Sequence, residues 1–257
     1  MANETVKKTI TVTLLLCLVC SVLVSGAAVI LRPAQIANQE LDFKRNILST
    51  VGLLDPARSV DEVFNERVEI RVVDLNTGEY TDDISVQEYD QRRVARDPST
   101  SLGLSRTEDI AGIQRREDYA LVYLVQDTQG ELESIVLPVR AYGLWSTMWG
   151  FLALEADANT VRGLRFYEHG ETPGLGGEID NPRWQARWEG KQVYDDAGDV
   201  ALSVVKGSVD PAEPGAEYRI DGLSGATLTT RGADSMIKFW LGEKGFKSYL
   251  VGRQEEA

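Results

Sequence analysis

The stretch Asp221-Gly222-Leu223-Ser224-Gly225-Ala226-Thr227-Leu228-Thr229-Thr230 gathers the residue types most suited to holding a ligand. Its two glycines allow a tight turn and a close approach of backbone to a ligand. Ser224, Thr227, Thr229 and Thr230 bring hydroxyls to that turn. The helical pattern that follows offers unpaired N–H groups and a positive dipole end, a setting suited to a phosphate. A capped helix start accounts for the same residues without a ligand. A second stretch, His169-Gly170-Glu171-Thr172-Pro173-Gly174-Leu175-Gly176-Gly177, reads as a stiff and then tight loop that brings backbone amides near a planar group. His169 reads as a structural loop residue. Gly143-Leu144-Trp145 adds an indole able to stack, although a core role fits Trp145 equally well and fits Trp149 better. Lys206 supplies a cation after a late apolar run.

Asp-Gly-Leu-Ser-Gly-Ala-Thr at 221–227 resembles the flavinylation motif of the FMN-binding domain family, and 169–177 resembles that family's second signature loop. The two occur in the family's order and separation. The membrane segment and the chain length are similar to those of the C-subunit family of Na+-translocating NADH:quinone reductases. The resemblance implies FMN attached by a phosphoester to Thr227, installed by a separate flavin transferase, with Asp221 belonging to the sequence that enzyme reads or to its metal. Ser224, Gly225 and Ala226 would make room for the phosphate and hold it. Glu171 and Thr172 would bond the flavin ring and ribityl region, Leu175 and Gly176 would shape the pocket, and Trp145 would stack near the ring. Lys206 would face the reduced flavin or its phosphate. It also implies a complex that oxidises NADH on another subunit, reduces ubiquinone and exports Na+, with a second flavin subunit as electron partner. The related G subunit of Rnf ferredoxin:NAD+ complexes shares the motif, and a membrane-anchored binding domain without redox activity is the alternative of another class.

These residues must be positioned by a chain of 257 residues with 43% hydrophobic and 26% charged residues, the balance of a folded domain. A net charge of −13 argues against nucleic acid and against anionic lipid as partners. Both cysteines, Cys17 and Cys20, lie in the apolar N-terminal run, so the remainder has neither disulfide nor thiolate metal site. With one histidine as well, a protein-only zinc or haem site is not expected. No P-loop or GxGxxG unit is present, so NADH itself is not expected to bind here. No catalytic side chain is expected beyond the cofactor.

Thr9–Leu31 is uncharged and long enough to cross a ~30 Å hydrocarbon core, which favours a retained anchor over a cleaved leader at Ser25-Gly26-Ala27. Residues 1–8 then form a cytoplasmic tail. Residues 32–118 form a membrane-proximal helical and mixed region, and 119–257 the FMN-binding domain. The short basic leader of Lys7 and Lys8 places the soluble domain on the periplasmic side of the inner membrane. Within it, Pro33–Leu54 reads as a helix leaving the membrane and Val60–Glu66 as a short helix. Val68, Ile70 and Val72 alternate as a strand, and 80–113 reads as a loop-rich insertion. Strands are expected at Tyr119–Val125, Ile135–Ala141, Met148–Leu154, Val161–Tyr167 and Ala201–Val205. Gln185–Trp188 reads as a short helix and Thr229–Leu241 as the final helix, with Gly242 as its C-terminal cap. The fold class is α+β, a single transmembrane helix followed by a domain on a mostly antiparallel sheet.

Overall fold

The computed structural model describes residues 5–256; Met1 to Glu4, half of the expected tail, lie outside the described residues. The chain divides into two compact units, the first ending at Phe43 and the second beginning at Lys44. Helix α1 runs Val6–Thr50 and includes the apolar run, whose residues are exposed throughout. Pro33 was expected to separate two helices, yet it lies inside α1. Proline removes one backbone donor and crowds the carbonyl one turn earlier, a disruption tolerated in membrane-spanning helices.

In the second unit, residues 44–50 of α1 lead into α2 (Val60–Arg67), whose start is capped by Ser59 accepting from the Glu62 amide. Strand β1 (Val68–Asp74) follows, then α3 (Gln91–Val94), β2 (Ser101–Gly103) and β3 (Arg115–Glu117). The antiparallel run β4 (Tyr119–Gln126), β5 (Leu132–Tyr142), β6 (Thr147–Glu155) and β7 (Val161–Glu168) builds the centre. Then come α4 (Pro182–Gln185), β8 (Ser203–Val205), β9 (Arg219–Asp221), α5 (Thr227–Trp240) and α6 (Lys247–Glu256). The main sheet has the order β1-β4-β5-β6-β7 and every neighbouring pair is antiparallel. Four of its five strands are joined by short hairpins, whose turns carry Asp127 and Gly130, Gly143, and Asp157 and Asn159.

Both faces of β5 are buried. Ile135, Leu137, Val139 and Ala141 join the main core with Ala233, Met236, Ile237 and Trp240 of α5. The intervening Val136, Pro138 and Arg140 are buried on the other face, where Tyr123 meets Phe151 edge to face and Phe151 stacks on Tyr167. Arg140 makes a bidentate ion pair with the fully buried Glu117, both contacts 2.6 Å, and Gln91 donates to the same carboxylate. This pair ties β5 to β3 and α3. The region 80–113, expected to be loop-rich, therefore contributes α3 and β2, the partner of β3, and Arg92 from α3 lies 4.6 Å over the Trp149 ring.

Three features differ from the periodicity reading. Strand β9 is too short and too polar to show a pattern, and it forms with β8 the one parallel pair among the described strands. Gly242 does not adopt a left-handed cap. Its Cβ would lie 2.5 Å from the Lys238 carbonyl, so glycine is required there by close approach. Helix α6, unsuspected, returns Tyr249 to Tyr80, their hydroxyls 2.8 Å apart.

Candidate functional site

Three segments meet at the N-terminal end of α5. The first is the turn after β5, closed by the Gly143 amide donating to the Ser146 carbonyl at 2.8 Å. The second is the loop after β7, residues 169–177. It is fixed at its start by His169, whose Nδ1 accepts from the Glu171 amide while Nε2 donates to Asp180. His169 is thus structural, as expected. The same loop is closed by the Thr172 carbonyl, which accepts from the amides of Leu175 and Gly177. The third is the turn Gly222–Ala226 that enters α5, where Gly225 stands at φ +77°, a conformation that favours glycine.

Glu171 joins them. Its carboxylate is 5% exposed. One oxygen accepts from the amides of Leu144 and Trp145 at 3.0 and 2.9 Å, and the other accepts from the Thr229 hydroxyl. Burial opposes its ionisation, but these donors outweigh burial and hold the carboxyl below the ordinary carboxylate range. Glycines stand on both sides. A Cβ at Gly143 would lie 2.6 Å from the first oxygen, and one at Gly176 would lie 2.8 Å from the second and 2.5 Å from Thr229 Oγ1. The Trp145 indole, 64% exposed, is steered by its N–H donating to Thr172 Oγ1 at 3.1 Å. Leu175 is exposed and rests against Gly225, where a Cβ would meet its methyl at 3.2 Å. Trp145, Glu171, Thr172, Leu175, Gly176 and Gly225 are therefore brought together.

Thr227 is the first residue of α5 and is exposed. The N-cap is Ala226, which has no side-chain cap, and the first turn holds no acidic residue. Among the described residues, neither the Thr227 nor the Ser224 hydroxyl has a hydrogen-bond partner. The first helical bond is Thr230 N to Ala226 O, so the amides of Thr227, Leu228 and Thr229 precede the ladder. Expected to help hold a phosphate, the Ala226 amide instead donates to the Leu223 carbonyl. A phosphoryl group on Thr227 fits this end chemically: three free amides, a positive dipole end and no competing cap.

Two expected residues lie apart from this cluster. The Asp221 carboxylate pairs with Arg187 and accepts from the Val209 amide, while its carbonyl accepts from the Trp184 indole. Lys206 is exposed just past β8, where the Val205–Asp221 pairing brings it level with Gly222, and no hydrogen bond or ion pair involves it among the described residues. Thr229 was read only as one hydroxyl of the turn and Gly143 only as the residue opening Gly143-Leu144-Trp145; their contacts with Glu171 were not foreseen. The spacing of Gly143 ahead of an exposed Trp held the only signal.

The profile of the FMN-binding domain family matches residues 143–242, a span that begins at the first of these turns and ends just past α5. The chain is 52% identical to the C subunit of the Na(+)-translocating NADH-quinone reductase of Pseudomonas aeruginosa, with all of both chains covered. It is 45% identical to the same subunit of Yersinia pestis, covering 99% of this chain and 96% of the other. Among solved structures, Shewanella oneidensis NqrC is similar with a TM-score of 0.79 at 35% identity, covering 85% of this chain and 99% of that one. The corresponding C subunit of Parabacteroides distasonis gives a TM-score of 0.65 at 26% identity, covering 86% and 97%.

Proposed function

This chain belongs to the C-subunit family of Na(+)-translocating NADH-quinone reductases, and on that ground we propose that it is a membrane-anchored flavoprotein subunit relaying electrons within such a complex. FMN supplies the redox chemistry; the protein binds it, orients it and limits its contact with water. α1 provides the anchor, being the one described helix long and apolar enough to cross a membrane.

The finer reading rests on one observation, the exposed and unpartnered Thr227 hydroxyl at the uncapped start of α5. Thr227 carries FMN through a phosphoester. The amides of the first turn hold the phosphate, and Gly225 at positive φ lets the chain pass close to it. Trp145 and Leu175, both exposed beside this turn, flank the ring. Thr172 holds the indole in place and Lys206 adds positive charge at the foot of the turn. Glu171 and Gly176 shape the pocket from beneath. A threonine hydroxyl is a weak nucleophile unaided, so a flavin transferase performs the attachment. The division into a tail at 1–8, a span at 9–31, a proximal region at 32–118 and a flavin domain at 119–257 belongs to this reading. So do a periplasmic soluble domain and a second flavin subunit as electron partner.

The test is Thr227→Val, which keeps the shape and removes the oxygen. Denaturing-gel fluorescence with peptide mass mapping should show covalent flavin lost while the fold survives. A flavin-labelled peptide in this variant, or a label mapped to Ser224 or Thr229 in the wild type, overturns the assignment. For orientation, a reporter fused after Ala257 should lie outside the cytoplasm; a cytoplasmic reporter refutes it.

A further inference from the structure

The two threonines of the first turn of α5 have opposite environments. Thr227 is exposed, whereas Thr229 is 1% exposed and its hydroxyl is committed to Glu171. That carboxylate is buried and has no cationic partner among the described residues; its charge rests on the Thr229 hydroxyl and on the amides of Leu144 and Trp145, with a smaller contribution from the Ser146 amide. A buried carboxylate stabilised by neutral dipoles alone is sensitive to the loss of any one of them, because the orphaned oxygen retains its full desolvation cost. The Trp145 amide and the Thr229 hydroxyl are thus joined through a single group. The glycines at 143 and 176 leave it no room for a further side chain. The Trp145 indole has its own polar anchor, Thr172 Oγ1, which lies on the residue following Glu171. The amide and the indole of Trp145 are therefore both tied to the adjacent residues 171 and 172.

We propose that Thr229 is a positioning residue of this site: through the Glu171 carboxylate it sets the 143–145 turn, and with it the Trp145 indole, against the helix turn that bears Thr227. The inference rests on the reading of Thr227 as the attachment point. It assigns Glu171 a part beneath the ligand, as the strut between two walls, in place of direct contact with the ring. It also explains why a second threonine two residues on is not an alternative acceptor, since its oxygen is turned inward and already donates.

The test uses the full-length chain, prepared once without flavin and once loaded, as wild type, Thr229→Val and Thr229→Ser. In the flavin-free protein, Trp145 emission is isolated by subtracting the matched Trp145→Phe variant of each. Thr229→Val should shift that emission to longer wavelength and raise its quenching by iodide, and Thr229→Ser should restore both. In the loaded protein, Thr229→Val should retain the label on Thr227 while the flavin absorption bands and reduction potential move towards those of free FMN. Unchanged Trp145 emission and an unchanged flavin spectrum in Thr229→Val overturn the proposal. So does a Thr229→Ser variant that behaves like Thr229→Val, which would indicate a packing role for the methyl. If Thr229→Val does not fold, Thr229→Ala removes the same hydroxyl and carries the same comparison. Absence of label from wild-type Thr227 would refute the attachment reading, while the flavin-free emission would still decide the positioning role.

Discussion

Gly176 and Gly174 stand two residues apart in the same loop and should respond to alanine for opposite reasons. At Gly176 the backbone accepts any residue, but the new methyl would sit 2.5 Å from Thr229 Oγ1 and 2.8 Å from a Glu171 oxygen. Overpacking of that kind costs ~1–3 kcal/mol. Displacing the Thr229 hydroxyl removes a hydrogen bond to a charged group, a further ~1.5–3 kcal/mol. Gly176→Ala should therefore lose about 2.5–6 kcal/mol of stability. Gly174 has open space around it but stands at φ +75°, so Gly174→Ala should cost only ~1–2 kcal/mol in backbone strain. The decisive comparison is a double-mutant cycle. In a Thr229→Ala background the nearest obstacle is gone, so adding Gly176→Ala should cost ~1–2 kcal/mol less than in the wild type. Guanidinium titration of the full chain in detergent, followed by tryptophan fluorescence, measures all four corners. Additive losses, or equal costs at 174 and 176, would refute the argument that the methyl strikes the Glu171–Thr229 pair.

The same carboxylate has a pH signature. Its folded-state pKa lies below the ordinary 4.5, so its contribution is present above that value and is lost as pH falls through the folded value. Thr229→Val removes a donor, raises the folded value and should move the acid limb of unfolding to higher pH; an acid midpoint equal to or below that of the wild type refutes this. Away from the site, Glu117→Ala leaves the Arg140 guanidinium buried without its partner and should destabilise by ~3–5 kcal/mol in the same titration, whereas a loss below ~1 kcal/mol would mean that water or Gln91 replaces the pair.

Strands β4 to β7 were legible as short, largely apolar runs set between turns that carry glycine, asparagine or aspartate. The loop at 169–177 and the turn at 221–227 were legible through their glycines. What escaped was pairing at long range. Nothing local in Arg219-Ile220-Asp221 announces a strand, since its partner is β8, 16 residues earlier in register. The Asp221 carboxylate looked free for recognition until Arg187 was placed beside it. Thr229 looked like one more hydroxyl of a turn. Only the helix phase, 3.6 residues per turn, and the arrival of Glu171 beneath it separate its inward face from the outward face of Thr227. Continuity of α1 through Pro33 was hidden because local rules treat proline as a stop, whereas a long apolar helix passes it.

The ladder of hairpins from β4 to β7 closes through neighbours in sequence, which is the kind of contact a chain forms early. The turn at 143–146 and the loop after β7 come with it, but the wall formed by α5 does not, because Thr229 lies 58 residues beyond Glu171. The site accordingly has no partial form: a chain stalled or cleaved before α5 docks has half a pocket, without the acceptor proposed at Thr227 beside it. With attachment at Thr227 as proposed, colour on this protein would report completed folding, and the coloured fraction of a preparation would count the molecules whose α5 has closed onto the hairpin ladder.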